Sequence, residues 1–295
     1  AAVTVIQLDG SLPVSAEVAD ALETAAGIRI QRLGGMGSLS TVSIRGSTSR
    51  QVAVFLDGIP LNPDGAQAIN LSELPTTALA RIEVFRSNPP PEFGQAPMGG
   101  VVNLITPENP DSFGLSATVG DYSTHRLGAN GGVSVDVHGV TVDTWLAAET
   151  LGTEGDFEYF HNKSTLYNVW DDSFETRQNN DKSQINLLGR VRAHQGPWQA
   201  SFTAGILRRA EGIPGPGAAQ SLGARLRTER NLTAIGAGYG ASWGRAHLSA
   251  WHIGTHELFD DRAGEVGTGT QWQEQDTTMD GLRVHGEAIA GYGLI

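Results

Sequence analysis

His252 and His256 stand four positions apart, the spacing at which a helix presents two imidazoles to one metal ion. The residues around them read as a strand, where four positions span roughly 13 Å, so the two cannot share an ion as neighbours. One long segment gathers Asp156, Phe157, Tyr159, Phe160, His161, Tyr167, Trp170, Asp171, Asp172 and Asp181. Its aromatics could grip a ligand and its carboxylates could hold calcium. The aspartates do not follow an EF-hand spacing, however, and a solvated charged loop is the better reading. Gly35-Met36-Gly37 lacks the third glycine and the following helix of a dinucleotide fingerprint, and no phosphate-loop lysine follows a glycine cluster. No Ser-His-Asp or paired-carboxylate arrangement stands out from spacing, and the absence of cysteine removes thiolate nucleophiles and Cys zinc sites. The expectation is a protein without catalysis, cofactor or dedicated metal.

The elements that would carry a binding function fall into two parts with different patterning. The net charge of −12 opposes binding to a nucleic-acid backbone. No apolar run approaches the roughly 18 to 20 residues of a membrane-spanning helix, and 38 glycines are too many for a helical bundle. Residues 1–110 read as a small α+β domain. Val3 to Ile6 is strand-like. Ser15 to Ala26 predicts a helix, with Val18, Ala21, Leu22 and Ala25 on one face and Gly27 to stop it. Strands are expected at Ile28 to Gln31, Leu39 to Arg45, Gln51 to Leu56, Arg81 to Arg86 and Val101 to Thr106, with an Asp57-Gly58 turn and close backbone approach at Gly99 and Gly100.

Residues 111–295 alternate instead. In Ser183 to His194, Ile185, Leu187, Gly189, Val191 and Ala193 point one way, while Gln184, Asn186, Arg190, Arg192 and His194 point the other. The same pattern recurs from Val140, Trp198 and Leu282, and about eight strands can be counted, near Gly114, Arg126, Val140, Ser183, Trp198, Leu232, Ala246 and Thr278. A soluble β-sandwich also alternates. Connection lengths separate the two cases: His138-Gly139, Gln195-Gly196-Pro197 and Gly244-Arg245 are tight, whereas Gly152 to Lys182, Ala210 to Gly223 and Asp261 to Thr277 are long. Short turns at one end and long loops at the other are the build of a transmembrane β-barrel. Trp198, Tyr239, Trp243 and Tyr292 near strand ends suit an interfacial girdle or ordinary strand packing.

Three ordered blocks add a family resemblance. They are Val42-Ser43-Ile44-Arg45-Gly46, then Val52 through Asp57-Gly58 to Asn62, then Ala80 to Arg86 continuing through Phe93-Gly94 to Thr106. Together they resemble the plug of the TonB-dependent outer-membrane receptors, most of all the cobalamin and siderophore type. The resemblance implies a plug inside a 22-stranded barrel, of which the alternating strands are the N-terminal, truncated part. It implies a monomer in the Gram-negative outer membrane, importing a scarce nutrient such as a ferric siderophore or cobalamin. It also implies energy from the periplasmic protein TonB, through a segment expected before Val3. A non-transporting surface or signalling receptor of the same build is the alternative.

The resemblance places two plug loops toward the outside. They are Gly34-Gly35-Met36-Gly37-Ser38-Leu39 and Asn62 to Ala68, with Asn62, Asp64 and Gln67 as ligand contacts. Either loop is equally readable as a flexible turn. Arg45 and Arg86 would pair with barrel carboxylates in a wet lumen, or else be ordinary solvated arginines. Arg86-Ser87-Asn88-Pro89-Pro90-Pro91 departs from the family's Arg-Gly-Pro and stiffens that segment.

Overall fold

A computed structural model describes residues 3–8, 13–62, 68–87, 89–94, 98–108, 112–163, 165, 167–217 and 219–288. The first part holds β1 (Val3–Gln7), α1 (Val18–Glu23), β2 (Ile28–Arg32), β3 (Ser40–Ile44), β4 (Ala53–Leu56), β5 (Ile59–Pro60), β6 (Arg81–Phe85) and β7 (Val101–Ile105). Five of these strands form a mixed sheet in the order β1-β6-β7-β4-β5, while β2 and β3 pair as a separate hairpin. Asp57 and Gly58 both adopt positive φ, the two-residue hairpin turn that brings Leu56 opposite Ile59. Gly99 and Gly100 do lie against backbone, since a Cβ would come within 2.5 Å of the Gln51 carbonyl oxygen and 2.6 Å of that of Phe85.

Helix α1 is shorter than its apolar periodicity predicts. Glu17 is extended, and its backbone N–H donates to the Asp20 carboxylate at 2.7 Å, which fixes the start. At the other end Thr24 turns its hydroxyl onto the Ala21 carbonyl at 2.7 Å. Val18, Ala21 and Leu22 are fully buried all the same, so the predicted face is the packed one.

The second part is one antiparallel meander of eight strands: β8 (Phe113–Val119), β9 (His125–Val137), β10 (Val140–Thr153), β13 (Lys182–Gln195), β14 (Trp198–Gly212), β15 (Arg225–Ala241), β16 (Gly244–Asp261) and β17 (Gln271–Ala288). A small hairpin, β11 (Glu158–His161) with β12 (Ser173–Thr176), rises between β10 and β13. This hairpin escapes sequence reading because its strands are four residues long and polar residues separate its aromatics. β17 begins at Gln271, earlier than expected, because Gln271 to Thr277 carries almost no apolar alternation although backbone pairing continues to Asp261 opposite Gln271.

Alternation has the predicted sense. On β13, Gln184, Asn186, Leu188 and Arg190 are buried against the first part, while Ile185, Leu187 and Val191 are exposed on the outside. Phe202, Ile235, Leu248, Leu282 and Val284 continue that exposed apolar outer face. Tight turns at 138–139, 196–197 and 242–243 lie at one end, where the Trp198, Tyr239 and Trp243 rings stack at 4.6 and 6.1 Å. Tyr292 lies outside the described residues.

The two parts share one apolar core. Leu22, Ile44, Val54, Leu71, Ile82 and Leu104 belong to the same buried cluster as Trp145, Ala147, Leu188, Leu232 and Ile253 of the wall. Contact with the wall is therefore dry over much of its area, and burial of these side chains, about 1.5–3 kcal/mol each, holds the first part in place.

Candidate functional site

The hairpin tip between β2 and β3 is the Gly34 to Leu39 loop, and the wall divides it in two. Gly34, Gly35 and Leu39 are exposed and Met36 is half-buried, whereas Gly37 and Ser38 are buried. Gly37 has φ +74°, and a Cβ there would meet Leu151 Cδ2 at 2.9 Å, so only glycine fits. Its carbonyl accepts from Arg209 Nη2 at 2.6 Å, and its N–H donates to Glu17 Oε1 at 2.9 Å. Lys182 Nζ donates to Ser38 Oγ at 2.8 Å. Arg209 also donates to Ser72 Oγ, Gln184 Oε1 and Glu211 Oε2 at 3.0, 2.8 and 2.7 Å. One buried guanidinium thus ties the loop, the following segment and two wall strands together. Burial pushes the Glu17 carboxyl above its usual range, against the opposing pull of the Gly37 N–H and Arg126.

Asn62 stands at the stem of the second loop. It is buried, its side-chain oxygen accepts from Val54 N–H at 2.9 Å, and its side-chain nitrogen donates to the Val52 carbonyl at 3.0 Å. Asp64 and Gln67 lie outside the described residues. Leu39, Asn62 and Ala68 nevertheless border one cavity of about 410 Å³ at the loop end, closed on the other side by Arg230, Ile253 and Glu257 of the wall. A second cavity of about 580 Å³ lies at the turn end, beside Asp57, Glu83 and Arg283.

Arg86 donates to Thr4 Oγ1 at 2.8 Å, a contact within the first part, and Arg45 takes positive φ with its N–H on the Gly27 carbonyl at 2.9 Å. Among the described residues neither makes an ion pair. Charge crosses in the opposite sense, from wall arginines to the first part. Arg230 meets Glu73 at 2.8 Å, Arg190 meets Asp57 at 3.2 Å, and Arg283 donates to the Gly58 carbonyl at 2.7 Å. Arg126, 3% exposed, stands 3.3 Å from Glu149, 2% exposed, and donates to the Ala16 carbonyl at 3.1 Å. Sequence reading put Arg190 on the polar face of its strand but assigned none of these wall arginines to the plug, although inward-facing Arg in an alternating strand is the signal that marks them.

The long connections are laced to each other. Arg225 grips Asp181 through two bonds of 2.6 and 2.7 Å, Tyr159 donates to the Gly217 carbonyl at 2.9 Å, and Glu265 accepts from Leu222 and Gly223 N–H at 2.8 and 2.7 Å. The Ser221 hydroxyl, with these amides, holds the Glu265 carboxyl below its usual range. Lys163 and His161 beside Glu175 bring its carboxyl down to about 2. The aspartates of this segment do not converge: Asp181 binds Arg225 and Asp171 accepts from Thr165. His252 pairs with Asp280 at 2.6 Å and His256 with Asp276 at 2.8 Å, so the two histidines serve different partners. His256, Glu274 and Asp276 have ligand atoms within 4.8 Å of one another, on the outward face of β16 and β17.

Residues 2–101 match the family model of the TonB-dependent Receptor Plug Domain. This part of the chain is similar to the plug of TonB-dependent receptors. Over 140 residues the chain is 31% identical to the vitamin B12 transporter BtuB of Vibrio cholerae, covering 47% of this chain and 22% of that protein. The whole fold is similar to solved receptors. The siderophore receptor PirA from Acinetobacter baumannii gives a TM-score of 0.71 at 18% identity, covering 97% of this chain and 45% of that one. The ferric yersiniabactin uptake receptor FyuA from Yersinia pestis gives 0.69 at 15% identity, covering 99% and 46%. The chain spans under half the length of these receptors, and its eight-stranded sheet has the fold of part of their barrel wall. These relatives are receptors and transporters rather than enzymes.

Proposed function

We propose that the chain is part of an outer-membrane receptor that captures a bulky polar nutrient, a metal chelate or a corrinoid, at the loop end and passes it inward past the plug. The carrying observation is the cavity bordered by both apical loops and the wall. It is a concave site on a rigid scaffold that Leu39 of the first loop borders, and the exposed Gly34 and Gly35 of the same loop offer backbone groups outside its lining. Gly34, Gly35, Met36 and Leu39 are the proposed ligand contacts of the first loop, and Asp64 and Gln67 those of the second. Gly37, Ser38 and Asn62 hold the loops in shape. The exposed apolar outer face and the aromatic cluster at the turn end support placement in the Gram-negative outer membrane. Work on the plug comes from TonB acting from the turn end, and the receptor acts as a monomer.

Passage requires that the Arg209 and Arg190 contacts yield. Across the seam Arg209 binds the Gly37 carbonyl and Ser72 hydroxyl, and Arg190 binds the Asp57 carboxylate, the Thr106 hydroxyl and the Pro107 carbonyl. Water can hydrate these groups once the plug shifts, so the hold is firm at rest and reversible under load. Uptake by cells expressing the full-length gene, measured with cobalamin and ferric siderophores, tests the proposal. Accumulation that collapses with the proton-motive force is expected; no accumulation of any candidate would refute transport.

A further inference from the structure

We infer that the loop-end cavity selects an electroneutral or cationic polar ligand and discriminates against polyanionic chelates. The inference rests on the uptake reading and narrows its substrate class.

Three carboxylates, Glu73, Glu211 and Glu257, border the cavity against one guanidinium, Arg230. Arg230 is already matched by Glu73 at 2.8 Å, and Glu211 is matched by Arg209 at 2.7 Å. Glu257 is different. It is half-buried on β16, on the inward face opposite Thr228 and Gln275, and has no ion pair or hydrogen bond among the described residues. Among the described residues the cavity lining therefore carries one unneutralised carboxylate. Thr255 and Thr277 beside it supply neutral hydrogen-bonding groups, and Leu39 and Met279 supply apolar surface. Among the described residues no cation of the lining remains free to meet a ligand's negative charge, whereas recognition of a polyanion relies on unpaired Arg or Lys.

The approach to the cavity carries the same sign. Connections 154–181, 213–224 and 262–270 together contain eight carboxylates and three Lys or Arg. Two of those cations are taken up locally, Lys163 by Glu175 and Arg262 by Asp260. A rim of one sign over a partly enclosed site raises the local concentration of oppositely charged solutes and lowers that of like-charged ones, within a Debye length of about 8 Å at physiological salt. The rim and Glu257 act in the same direction, and their effect should fade as salt is added.

The test is equilibrium binding to the full-length receptor in detergent, with three probes: a monocationic ferric trihydroxamate, neutral cyanocobalamin and a trianionic ferric tris-catecholate. At low ionic strength at least one non-anionic probe should bind about tenfold or more tightly than the trianion, with the gap narrowing in high salt. Glu257→Gln should weaken the monocation several-fold while leaving the corrinoid unaffected, and Glu257→Lys should improve the trianion. A trianion that binds as tightly as the other two, or a Glu257→Lys variant with unchanged selectivity, overturns the charge inference while leaving uptake intact. Failure of all three probes to bind overturns the uptake reading and this inference with it.

Discussion

Replacing Arg126 by methionine removes the cation from a pair that is almost wholly dry, with its two side chains 3% and 2% exposed. At a separation of 3.3 Å and an effective dielectric near 20, the Coulomb attraction is about 5 kcal/mol before desolvation is counted. In the variant Glu149 keeps the Thr77 hydroxyl at 3.1 Å but faces no charge, and the Ala16 carbonyl is left with the Thr76 hydroxyl at 3.3 Å. An uncompensated buried carboxylate costs about 3–5 kcal/mol. Glu149→Leu should cost a similar amount by orphaning Arg126. The double variant Arg126→Met with Glu149→Leu removes both charges from an apolar surrounding that includes Trp145 and Ala147, and should recover most of the loss. With single losses of about 3–5 kcal/mol each and a double variant close to wild type, the coupling energy is expected at about 5 kcal/mol or more. Urea titration of the protein in detergent micelles, read by tryptophan fluorescence, measures all four corners of the cycle. Single variants within about 1 kcal/mol of wild type, or a coupling near zero, would show that the pair is solvated and lends the seam no stability.

Gly37→Ala should destabilise by about 2 kcal/mol, because positive φ and the Leu151 contact at 2.9 Å oppose a Cβ, and amide exchange at Gly35 to Ser40 should accelerate. Asn62→Ala leaves Val54 N–H and the Val52 carbonyl without their side-chain partners and should cost about 1–3 kcal/mol for each buried group left unmade, seen as a lower urea midpoint. Glu175 has its folded pKa lowered to about 2 from 4.5, so the ordering it lends the β11–β12 hairpin is fully present above 4.5 and is lost as pH falls toward 2. Carboxylate NMR titration should show this, with Lys163→Gln moving the midpoint upward. Glu17 has its pKa raised by burial, so its charged form opposes folding as pH rises past 4.5. Glu17→Gln retains an oxygen for Gly37 N–H, and thermal melts should show the variant at least as stable at neutral pH, with a weaker dependence on pH.

Much of the architecture is written in short-range pattern. Period-two alternation on β13 marks which residues face the wall's interior, because a strand has only two faces and only one meets the plug. Asp57-Gly58 declares its turn because few residue pairs tolerate positive φ twice. The three ordered motifs that carry the resemblance fall on β3, on the β4–β5 hairpin and on the run from β6 to β7, the segments whose contacts are local or between neighbouring strands.

What the sequence could not determine depends on partners that lie well outside any local window of the chain. Nothing local distinguishes Gly37, clamped by Arg209, from Gly35, which is exposed. Arg86 looks as fit to reach the wall as Arg126 does to reach the first part, but Arg86 meets Thr4 while Arg126 points into the seam beside Glu149 and donates to the Ala16 carbonyl. The hairpin at 158–176 is held by a few side-chain contacts and loop-to-loop bonds such as Tyr159 to Gly217, which no window of sequence contains. The sequence by itself determined the two kinds of element and the face each strand buries, since these follow from backbone geometry and the avoidance of water by apolar groups. Only the tertiary structure decided which loop atoms are gripped and which are free, and which carboxylate is left without a partner, because charge pairing depends on distances in space that sequence spacing does not encode.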